Sequence, residues 1–372
     1  MIYLDHAAST PPSKRALVAF HTTATDHFGN PSSIHSLGRD ANKVLRQSRT
    51  RIADLLRVPS DTIIFTSGGT ESDNLAIIGY ALAHQHLGKH VITTSIEHHA
   101  VLRAFSYLEK EAGFRVSYLE PQNGTISAQQ VAEALEDDTI LVSVMYANNE
   151  TGLLLPIADI GKTLSQHPTA FHVDAVQAMG KMPIYPEEMG IDLLSASSHK
   201  FHGVKGAGFL YSKSNKLHPL LFGGDQEDKK RAGTENLPAI ASMAAALAES
   251  LETATADWEH AKQLEKHILT QLDSAGIAYH IHAKTQKLPY ILNLSLADQP
   301  NDQLLMQLDL AGFAISTGSA CTAGVPEPSH VLTSLYGKDS PHLSQSIRIS
   351  FSKATTLEEV SAFADALITI YR

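Results

Sequence analysis

The strongest constraint on the fold is a regular alternation of short apolar runs and helix-like segments between about residues 60 and 211. The apolar runs have the length and composition of buried strands, and segments with apolar residues at helical spacing separate most of them. This alternation predicts an open α/β sheet of about seven mostly parallel strands that helices cover on both faces. The predicted strands span residues 62–67, 90–95, 115–120, 139–147, 170–175, 192–198 and 207–211.

The pattern changes after residue 224. A long, alanine-rich stretch with helical periodicity covers about residues 238–274, and shorter strand-like and helix-like segments alternate beyond it. This part of the chain predicts a smaller α+β domain, with the long helix as the connection between the two parts. We therefore expect a large domain at residues 13–255 and a small domain built from residues 1–12 and 256–372.

Composition and charge exclude several classes of protein. The 372 residues are 43% hydrophobic and 18% charged, as expected of a globular chain with one large and one smaller domain. The net charge of −10 argues against a broad surface for nucleic acid, so we expect no direct nucleic-acid binding. No apolar run approaches the roughly 20 residues of a membrane-spanning helix, and the amino-terminal sequence lacks a signal peptide. Cys321 is the single cysteine and cannot form an internal disulfide, which favours a cytoplasmic protein.

Lys200 lies in the motif SSHK, directly after the predicted strand 192–198. Ligands of α/β sheets bind outside the carboxyl ends of the strands, so a lysine at this position can hold pyridoxal 5′-phosphate (PLP) as a Schiff base. A lysine in a loop is more often a solvated surface residue. The assignment therefore depends on what other residues the same sheet edge carries.

Asp174 ends the preceding predicted strand, in the motif HVDAVQ. A buried aspartate without a partner is costly, and the protonated pyridine nitrogen of PLP would supply a partner and keep the ring a good electron sink. Gln177, three residues later, can reach the phenolic oxygen of the ring. An aspartate that caps a turn is the alternative interpretation.

Two segments are suited to bind a phosphate. Gly69 and Thr70 lie where a predicted strand runs through paired glycines into a helix, and backbone N–H groups at a helix start bind anions. Thr234, in the motif RAGTEN, offers a further hydroxyl group. An ordinary glycine-rich turn with a capping hydroxyl group explains the first segment equally simply, and a solvated loop explains the second.

Three further residues occupy positions suited to a cofactor or a substrate. His98 follows the predicted strand 90–95, where an imidazole can stack on a flat ring or relay a proton. Asn149 follows the predicted strand 139–147, and Arg348 lies on a short alternating strand where it can bind a carboxylate through two hydrogen bonds. The alternatives are a helix-capping histidine, a polar turn and a strand-edge arginine paired with a surface acid.

Cys321 lies in a run of small residues, STGSACTAG, and not in an apolar segment. A cysteine in such a loop is favoured as an exposed nucleophile, with a thiol of no function as the alternative. The 20 histidines are scattered through the chain, so ligand spacing predicts no metal site. Cys321 could still share an iron–sulfur cluster transiently.

Taken together, these segments closely resemble the cysteine desulfurases of the NifS/IscS type, which are PLP-dependent enzymes of the class-V aminotransferase family. The resemblance covers essentially the whole chain and implies the PLP-dependent transferase fold type I. It is carried by ten motifs that occur in the order typical of the family: YLDHAAST, FGNPSS, FTSGGTESDN, EHHAVL, NNETG, HVDAVQ, SSHKFHG, RAGTEN, GSACT and SIRIS.

The resemblance implies a role for each matched residue. Lys200 forms the Schiff base with PLP and is the base that moves the substrate's α-proton. Cys321 is the nucleophile that takes sulfur from the substrate. The other implied contacts are Asp174 to the pyridine nitrogen, His98 stacked on the ring, Gln177 and Asn149 at the ring oxygen, Gly69, Thr70, Ser197 and His199 at the phosphate, Thr234 at the phosphate from the partner subunit, and Arg348, Asn30 and Asn149 at the substrate carboxylate.

The implied reaction converts L-cysteine to L-alanine and leaves a persulfide on Cys321. The resemblance also implies a homodimer and an acceptor protein that receives the sulfur for iron–sulfur cluster assembly or for thiolation. Selenocysteine lyase and cysteine sulfinate desulfinase activity on the same fold are the nearest alternatives. A catalytically inactive scaffold for sulfur transfer is the alternative from a different class of protein.

Overall fold

Twelve strands occur in the part of the chain that the computed structural model describes, which is residues 1–284, 286–317 and 328–372. Most are short, buried and apolar, as the sequence predicts. They are β1 (Ile2–Tyr3), β2 (Ile63–Thr66), β3 (His90–Thr94), β4 (Arg115–Leu119), β5 (Thr139–Ser143), β6 (Ala170–Asp174), β7 (Leu193–Ser197), β8 (Gly208–Ser212), β9 (Tyr279–Ile281), β10 (Ile291–Leu296), β11 (Phe313–Ala314) and β12 (Ser346–Ser350).

Seven of these strands form one sheet in the order β2-β8-β7-β6-β5-β3-β4. Neighbouring strands from β7 through β6, β5 and β3 to β4 pair in parallel, whereas β8 is antiparallel to both β7 and β2. The prediction of about seven mostly parallel strands is therefore confirmed. Because parallel strands end at the same edge, the residues that follow β3, β5, β6 and β7 are brought together there.

Helices cover both faces of this sheet. Successive side chains of β2 alternate between the faces: Ile63 and Phe65 pack into one apolar cluster with α2 and α8, and Ile64 packs into another with α5. The α-helices are α1 (Lys14–Asp26), α2 (Ser36–Leu56), α3 (Gly69–Asn74), α4 (Tyr80–His84), α5 (His99–Lys110), α6 (Ala128–Ala134), α7 (Ile157–Leu164), α8 (Leu237–Ser274), α9 (Asn301–Leu310), α10 (His330–Tyr336), α11 (His342–Gln345) and α12 (Leu357–Tyr371).

Local sequence explains where several helices begin. Ser127 and Thr356 each form a capping box with the Gln or Glu three residues later, at the starts of α6 and α12. Ser13 caps α1, a helix that the sequence patterns did not predict. One wider turn, Leu75–Gly79, joins α3 to α4 into a continuous helical segment. None of the described helices has the length and apolar character needed to cross a membrane.

A second sheet lies in the last third of the chain. Its strand β10 pairs antiparallel with both β9 and β12, and α12 and the end of α8 share its apolar cluster. The first residues of the chain run beside this sheet: Leu4 O accepts a hydrogen bond from Ser350 N at 2.7 Å, and Ala7 N donates one to Ser350 Oγ at 2.8 Å. This amino-terminal arm then passes over the carboxyl edge of the seven-stranded sheet.

Candidate active site

A cavity of about 330 Å³ lies at the carboxyl edge of the seven-stranded sheet. The segments that follow β3, β5, β6 and β7 form one side of it, and Arg348 of β12 lies on the other. Ten residues that the sequence singled out line this one cavity: Gly69, Thr70, His98, Asn149, Asp174, Gln177, Ser197, His199, Lys200 and Arg348.

Lys200 follows β7 on a single 3₁₀ turn, Ser198–Lys200. Its Nζ donates hydrogen bonds to Ala7 O at 2.5 Å and to Ala8 O at 3.0 Å. Both carbonyl groups belong to the amino-terminal arm, so the arm and the sheet together hold the amine at the cavity. A carbonyl group of a ligand in this cavity would be within the reach of the lysine.

Asp174 is the last residue of β6 and is buried, with its carboxyl group at the cavity. Oδ1 accepts a hydrogen bond from Val176 N at 2.9 Å. Burial raises the pKa of Asp174 to about 6, although the hydrogen bond and the charge of Lys200 act in the opposite direction. A cation bound beside this carboxyl group would stabilise its ionised form, which is what a protonated pyridine nitrogen provides.

Asp73, a second acid in the cavity lining, was not singled out by the sequence. It is fully buried on α3, with Oδ1 3.7 Å from His172 Nε2, and burial together with the neighbouring Asp174 raises its pKa well above the ordinary value. Burial lowers the pKa of His172 to about 3, so this imidazole is neutral. A sequence signal existed: Asp73 is four residues before Ile77 and therefore shares a helix face with an apolar side chain.

The start of α3 provides the cradle for an anionic group. A Cβ atom on Gly69 would lie 2.8 Å from Val176 Cγ2, so the close approach of these two segments requires glycine. The first N–H groups of a helix have no intrahelical partner. Ser197 and His199 add a hydroxyl group and an imidazole to the lining of the same cavity, which is the donor set that a phosphate requires.

His98 caps α5, and its Nδ1 accepts a hydrogen bond from Ala100 N at 3.1 Å. Burial and the nearby charge of Lys200 lower the pKa of His98 to about 4. The ring is therefore neutral near pH 7, and because Nδ1 is an acceptor, the proton is on Nε2. A neutral imidazole can stack on a flat cofactor ring and still donate a proton from Nε2.

Arg348 is almost completely buried although it is charged. Its Nη1 donates to Asn149 O at 2.9 Å, and its Nη2 forms an ion pair with Asp5 Oδ1 at 2.7 Å. Gln177 lies on the sheet side and donates from Nε2 to Ala7 O at 3.0 Å. His330, at the start of α10, also lines the cavity and was not singled out by the sequence.

Three predicted residues are not in the described lining of this cavity. Asn30 is exposed and its Oδ1 accepts a hydrogen bond from Ser32 N at 2.9 Å. Thr234 is exposed as well. Cys321 lies outside the described residues. In the part of the chain that the structure describes, no group of His, Cys, Asp or Glu side chains is arranged to hold a metal ion.

The arrangement defines a class of protein. A strand-end lysine, a buried acid close to it and a glycine-lined helix start with hydroxyl and imidazole donors surround one cavity. These groups fit the aldehyde, the pyridine nitrogen and the phosphate of PLP, respectively. On this α/β fold they define a PLP-dependent enzyme of fold type I.

Comparison with known proteins agrees with this class. The class-V aminotransferase family matches residues 2–363. A Bacillus subtilis (strain 168) protein named putative cysteine desulfurase IscS 1 is 50% identical, over 98% of this chain and 96% of its own length. The cysteine desulfurase IscS of Dictyoglomus turgidum is 41% identical, over 98% of this chain and 93% of its own.

Solved structures show the same similarity. A NifS-like protein has a TM-score of 0.92 at 33% identity, covering 99% of this chain and 98% of its own. A structure described as SspA in complex with cysteine has a TM-score of 0.83 at 35% identity, covering 96% and 100%. The chain therefore belongs to the class-V aminotransferase family and, within it, to the PLP-dependent cysteine desulfurases of the NifS/IscS type.

Proposed function

We propose that this chain removes sulfur from L-cysteine, releases L-alanine and holds the sulfur as a persulfide on Cys321. The observation that carries the proposal is the single cavity in which Lys200, Asp174 and Arg348 meet. Lysine and aspartate suit PLP, and a buried arginine at the opposite side suits the carboxylate of a small amino acid. The names of the curated relatives support the same activity.

PLP, when bound, supplies an electron sink for negative charge at the substrate carbon atoms. Lys200 attaches it and afterwards takes the α-proton of the substrate at Nζ. Asp174 keeps the pyridine nitrogen protonated, and His98 stacks on the ring and holds a proton on Nε2. In our proposal the remaining contacts are Gln177 and Asn149 to the ring oxygen, and Gly69, Thr70, Ser197 and His199 to the phosphate.

The substrate is oriented from the side of β12. Arg348 binds the carboxylate, with Asn149 and Asn30 beside it. The thiolate of Cys321 then attacks the substrate sulfur. An S–S bond forms while the substrate's Cβ–S bond breaks, and the electron pair of that bond stays with the carbon, which takes up a proton to become the methyl group of alanine.

We include a homodimer in the proposal. Thr234 is exposed and is not part of the lining of its own cavity, so it is available to complete the phosphate site of a second copy. Phe28, Ile34 and Phe222 are 71%, 91% and 77% exposed, so these large apolar side chains are available to a second copy. Light scattering should give twice the chain mass, and a monomeric mass would remove this part of the proposal.

Three further assignments belong to the proposal. The persulfide passes to an acceptor protein that serves iron–sulfur cluster assembly or thiolation. The protein acts in the cytoplasm, since a reducing compartment keeps the Cys321 thiol available. The chain divides within α8, at residue 255, into a large domain at 13–255 and a small domain at 1–12 and 256–372.

The substitution Cys321→Ala tests the reaction. The variant should bind PLP and L-cysteine, and show the absorption change of substrate binding, but release no alanine or sulfide. Thr322→Ala, in the same run of small residues, is the matched control and should keep activity. Undiminished alanine release by Cys321→Ala would disprove the persulfide step. If that variant acts on selenocysteine or on cysteine sulfinate but not on L-cysteine, the chain is one of the two alternative enzymes.

A further inference from the structure

Lys181 is a second lysine close to the active site, and the reaction described above does not use it. It lies four residues after Gln177, in the turn that follows β6. Gly180 has a φ of +78°, and a Cβ atom there would lie 2.5 Å from Phe201 Cβ, so this turn requires glycine. The turn directs the Lys181 side chain back toward Gln177.

The Lys181 amine contacts Gln177 twice. Its Nζ donates to Gln177 O at 2.8 Å and to Gln177 Oε1 at 3.2 Å. The Tyr290 ring centre is 5.7 Å away and provides a weak cation–π contact. Among the described residues, no Asp or Glu oxygen lies within 4.0 Å of this amine. A lysine without a carboxylate partner, bonded to a cofactor-site amide, is unusual for a purely structural residue.

The contact determines which way the Gln177 amide points. A lysine ammonium group can only donate, so it must face the oxygen of the amide. The NH₂ end then points the other way, where Nε2 donates one hydrogen to Ala7 O at 3.0 Å. The same carbonyl oxygen accepts from Lys200 Nζ at 2.5 Å. Nε2 has a second hydrogen, and Gln177 lines the cavity, so this hydrogen can be donated to a ligand bound there.

We propose that Lys181 is a positioning residue: it holds the Gln177 amide with its NH₂ end toward the cavity, so that Gln177 donates a hydrogen bond to the anionic ring oxygen of bound PLP. The inference rests on the proposed contact between Gln177 and that oxygen. It assigns Lys181 a role that acts entirely through Gln177. Without Lys181, the buried Oε1 atom loses its charged donor, and only the hydrogen bond from Nε2 to Ala7 O still orients the amide.

The contact depends on the protonation of Lys181. Burial, with the nearby charges of Lys200 and Arg348 acting in the same direction, lowers the pKa of Lys181 to about 7. The small second cavity beside Lys181 is lined by further titratable groups, so a pH profile has to be compared with a control from this set. The charged and titratable groups facing Lys181 are Lys200, Arg348, His6, His202, Asp257, Tyr290 and Lys353.

The test is a pH titration of the visible absorption of the PLP-loaded protein without substrate. A donor at the ring oxygen stabilises the deprotonated form of the lysine-bound cofactor. Lys181→Met should therefore raise the midpoint of this titration, by about one pH unit. Lys181→Arg keeps a donor for Oε1 and should restore the midpoint, which also covers the case in which Lys181→Met does not fold.

Two controls isolate the path through Gln177. Lys353→Met makes the same substitution in the same small cavity, but Lys353 pairs with Glu249 at 2.8 Å and should leave the midpoint unchanged. In a Gln177→Leu background, Lys181→Met should add little further shift. An unchanged midpoint in Lys181→Met, or an additive shift in that background, overturns the proposal. If the unmodified protein has no desulfurase activity, the proposed function is contradicted. The titration uses no substrate, so it would still test the role of Lys181.

Discussion

The two sides of the cavity are held in different ways. We name them by their residues. The sheet-edge wall is His98, Asp174 and Lys200, and the β12 wall is Arg348 of β12 together with His330 at the start of α10. In the sheet-edge wall, His98 and Asp174 each accept a hydrogen bond from the N–H group two residues further on. Arg348 is held instead by Asn149 and Asp5, which are 199 and 343 residues away in the sequence.

This difference suggests a division of labour. His98 and Asp174 are each held by a hydrogen bond within the segment that follows their own strand. Lys200 is held in addition by the carbonyl groups of Ala7 and Ala8 in the amino-terminal arm. The position of Arg348 depends on how the second sheet packs against the first. We therefore expect changes in the sheet-edge wall to alter the bound cofactor, and changes in the β12 wall to alter the affinity for the substrate.

The largest effect is expected for Lys200→Ala. In the proposed mechanism Lys200 attaches PLP and takes the α-proton, so loss of its amine should lower activity by at least about 10⁴-fold. Mass spectrometry after borohydride reduction should find no cofactor bound to the variant. Lys205→Ala, at an exposed lysine five residues away, is the control and should retain both the activity and the bound cofactor. Cofactor trapped on another lysine would show that the sheet-edge wall is wrongly assigned.

A matched pair of substitutions tests two of the buried acids at this edge, Asp174 and Asp73. Asp174→Asn removes the carboxylate for the pyridine nitrogen and should lower kcat by about 10²–10³-fold, as the loss of one electrostatic partner does. Asp73→Asn should have a smaller effect, because burial and the neighbouring Asp174 raise the pKa of Asp73 well above its ordinary value and favour the protonated form, which an amide can replace. Steady-state kinetics and absorption spectra of both variants provide the measurement. Equal losses would mean that the two acids share the role.

Arg348→Lys tests the β12 wall. The lysine keeps the positive charge but loses the paired N–H donors, so KM for L-cysteine should rise about 10–100-fold, equivalent to about 1.4–2.8 kcal/mol. The absorption of bound PLP should not change. Arg115→Lys, at an exposed arginine, is the matched control. A changed cofactor spectrum with an unchanged KM would contradict the division between the two walls.

Much of the sheet-edge wall was predictable from the sequence. Asp174 and Lys200 end or follow short apolar strands, and parallel strands necessarily bring such residues to one edge. The predicted strands at 115–120 and 170–175 agree with β4 and β6 within a residue. β9 was missed because its three half-buried residues show no alternation. α1 was missed because its apolar residues are consecutive at positions 16–20, without helical spacing, and threonines follow them.

The contacts around Arg348 were not predictable in the same way. The ion pair with Asp5 joins the two ends of the chain, and no local pattern reports a contact over 343 residues. Asp73 could have been recognised as an acid on an apolar helix face. It was missed because the candidate residues were sought at the ends of strands. Asn30 was recognised by family motif alone and Thr234 by its hydroxyl group in a glycine-flanked loop, and neither residue is in the lining of its own chain's cavity.

The last prediction concerns Glu97, which links the two walls, and its effect is on stability and not on activity. It is fully buried beneath the sheet-edge wall, and its backbone oxygen accepts a hydrogen bond from His330 Nε2 of the β12 wall at 2.8 Å. Burial raises the pKa of Glu97 to about 8, from 4.5 in a solvated chain. Between these pH values the folded protein keeps a proton that the unfolded chain releases. This contribution to stability is therefore lost as pH rises, by up to about 1.4 kcal/mol per pH unit.

Glu97→Gln replaces the protonated acid with an amide that can still accept from Met145 N and Thr94 Oγ1. The variant should therefore gain in Tm relative to the unmodified protein as pH rises from 5 to 8. Glu109→Gln, at an exposed position of α5, should show a constant difference. The pKa of His172 is lowered to about 3, so this residue makes the protein less stable as pH falls below 6.5. The variants and the unmodified protein share this effect, so it does not change the Tm difference between them. A Tm difference independent of pH would mean that Glu97 is ionised in the folded protein, so that a buried charge lies between the two walls.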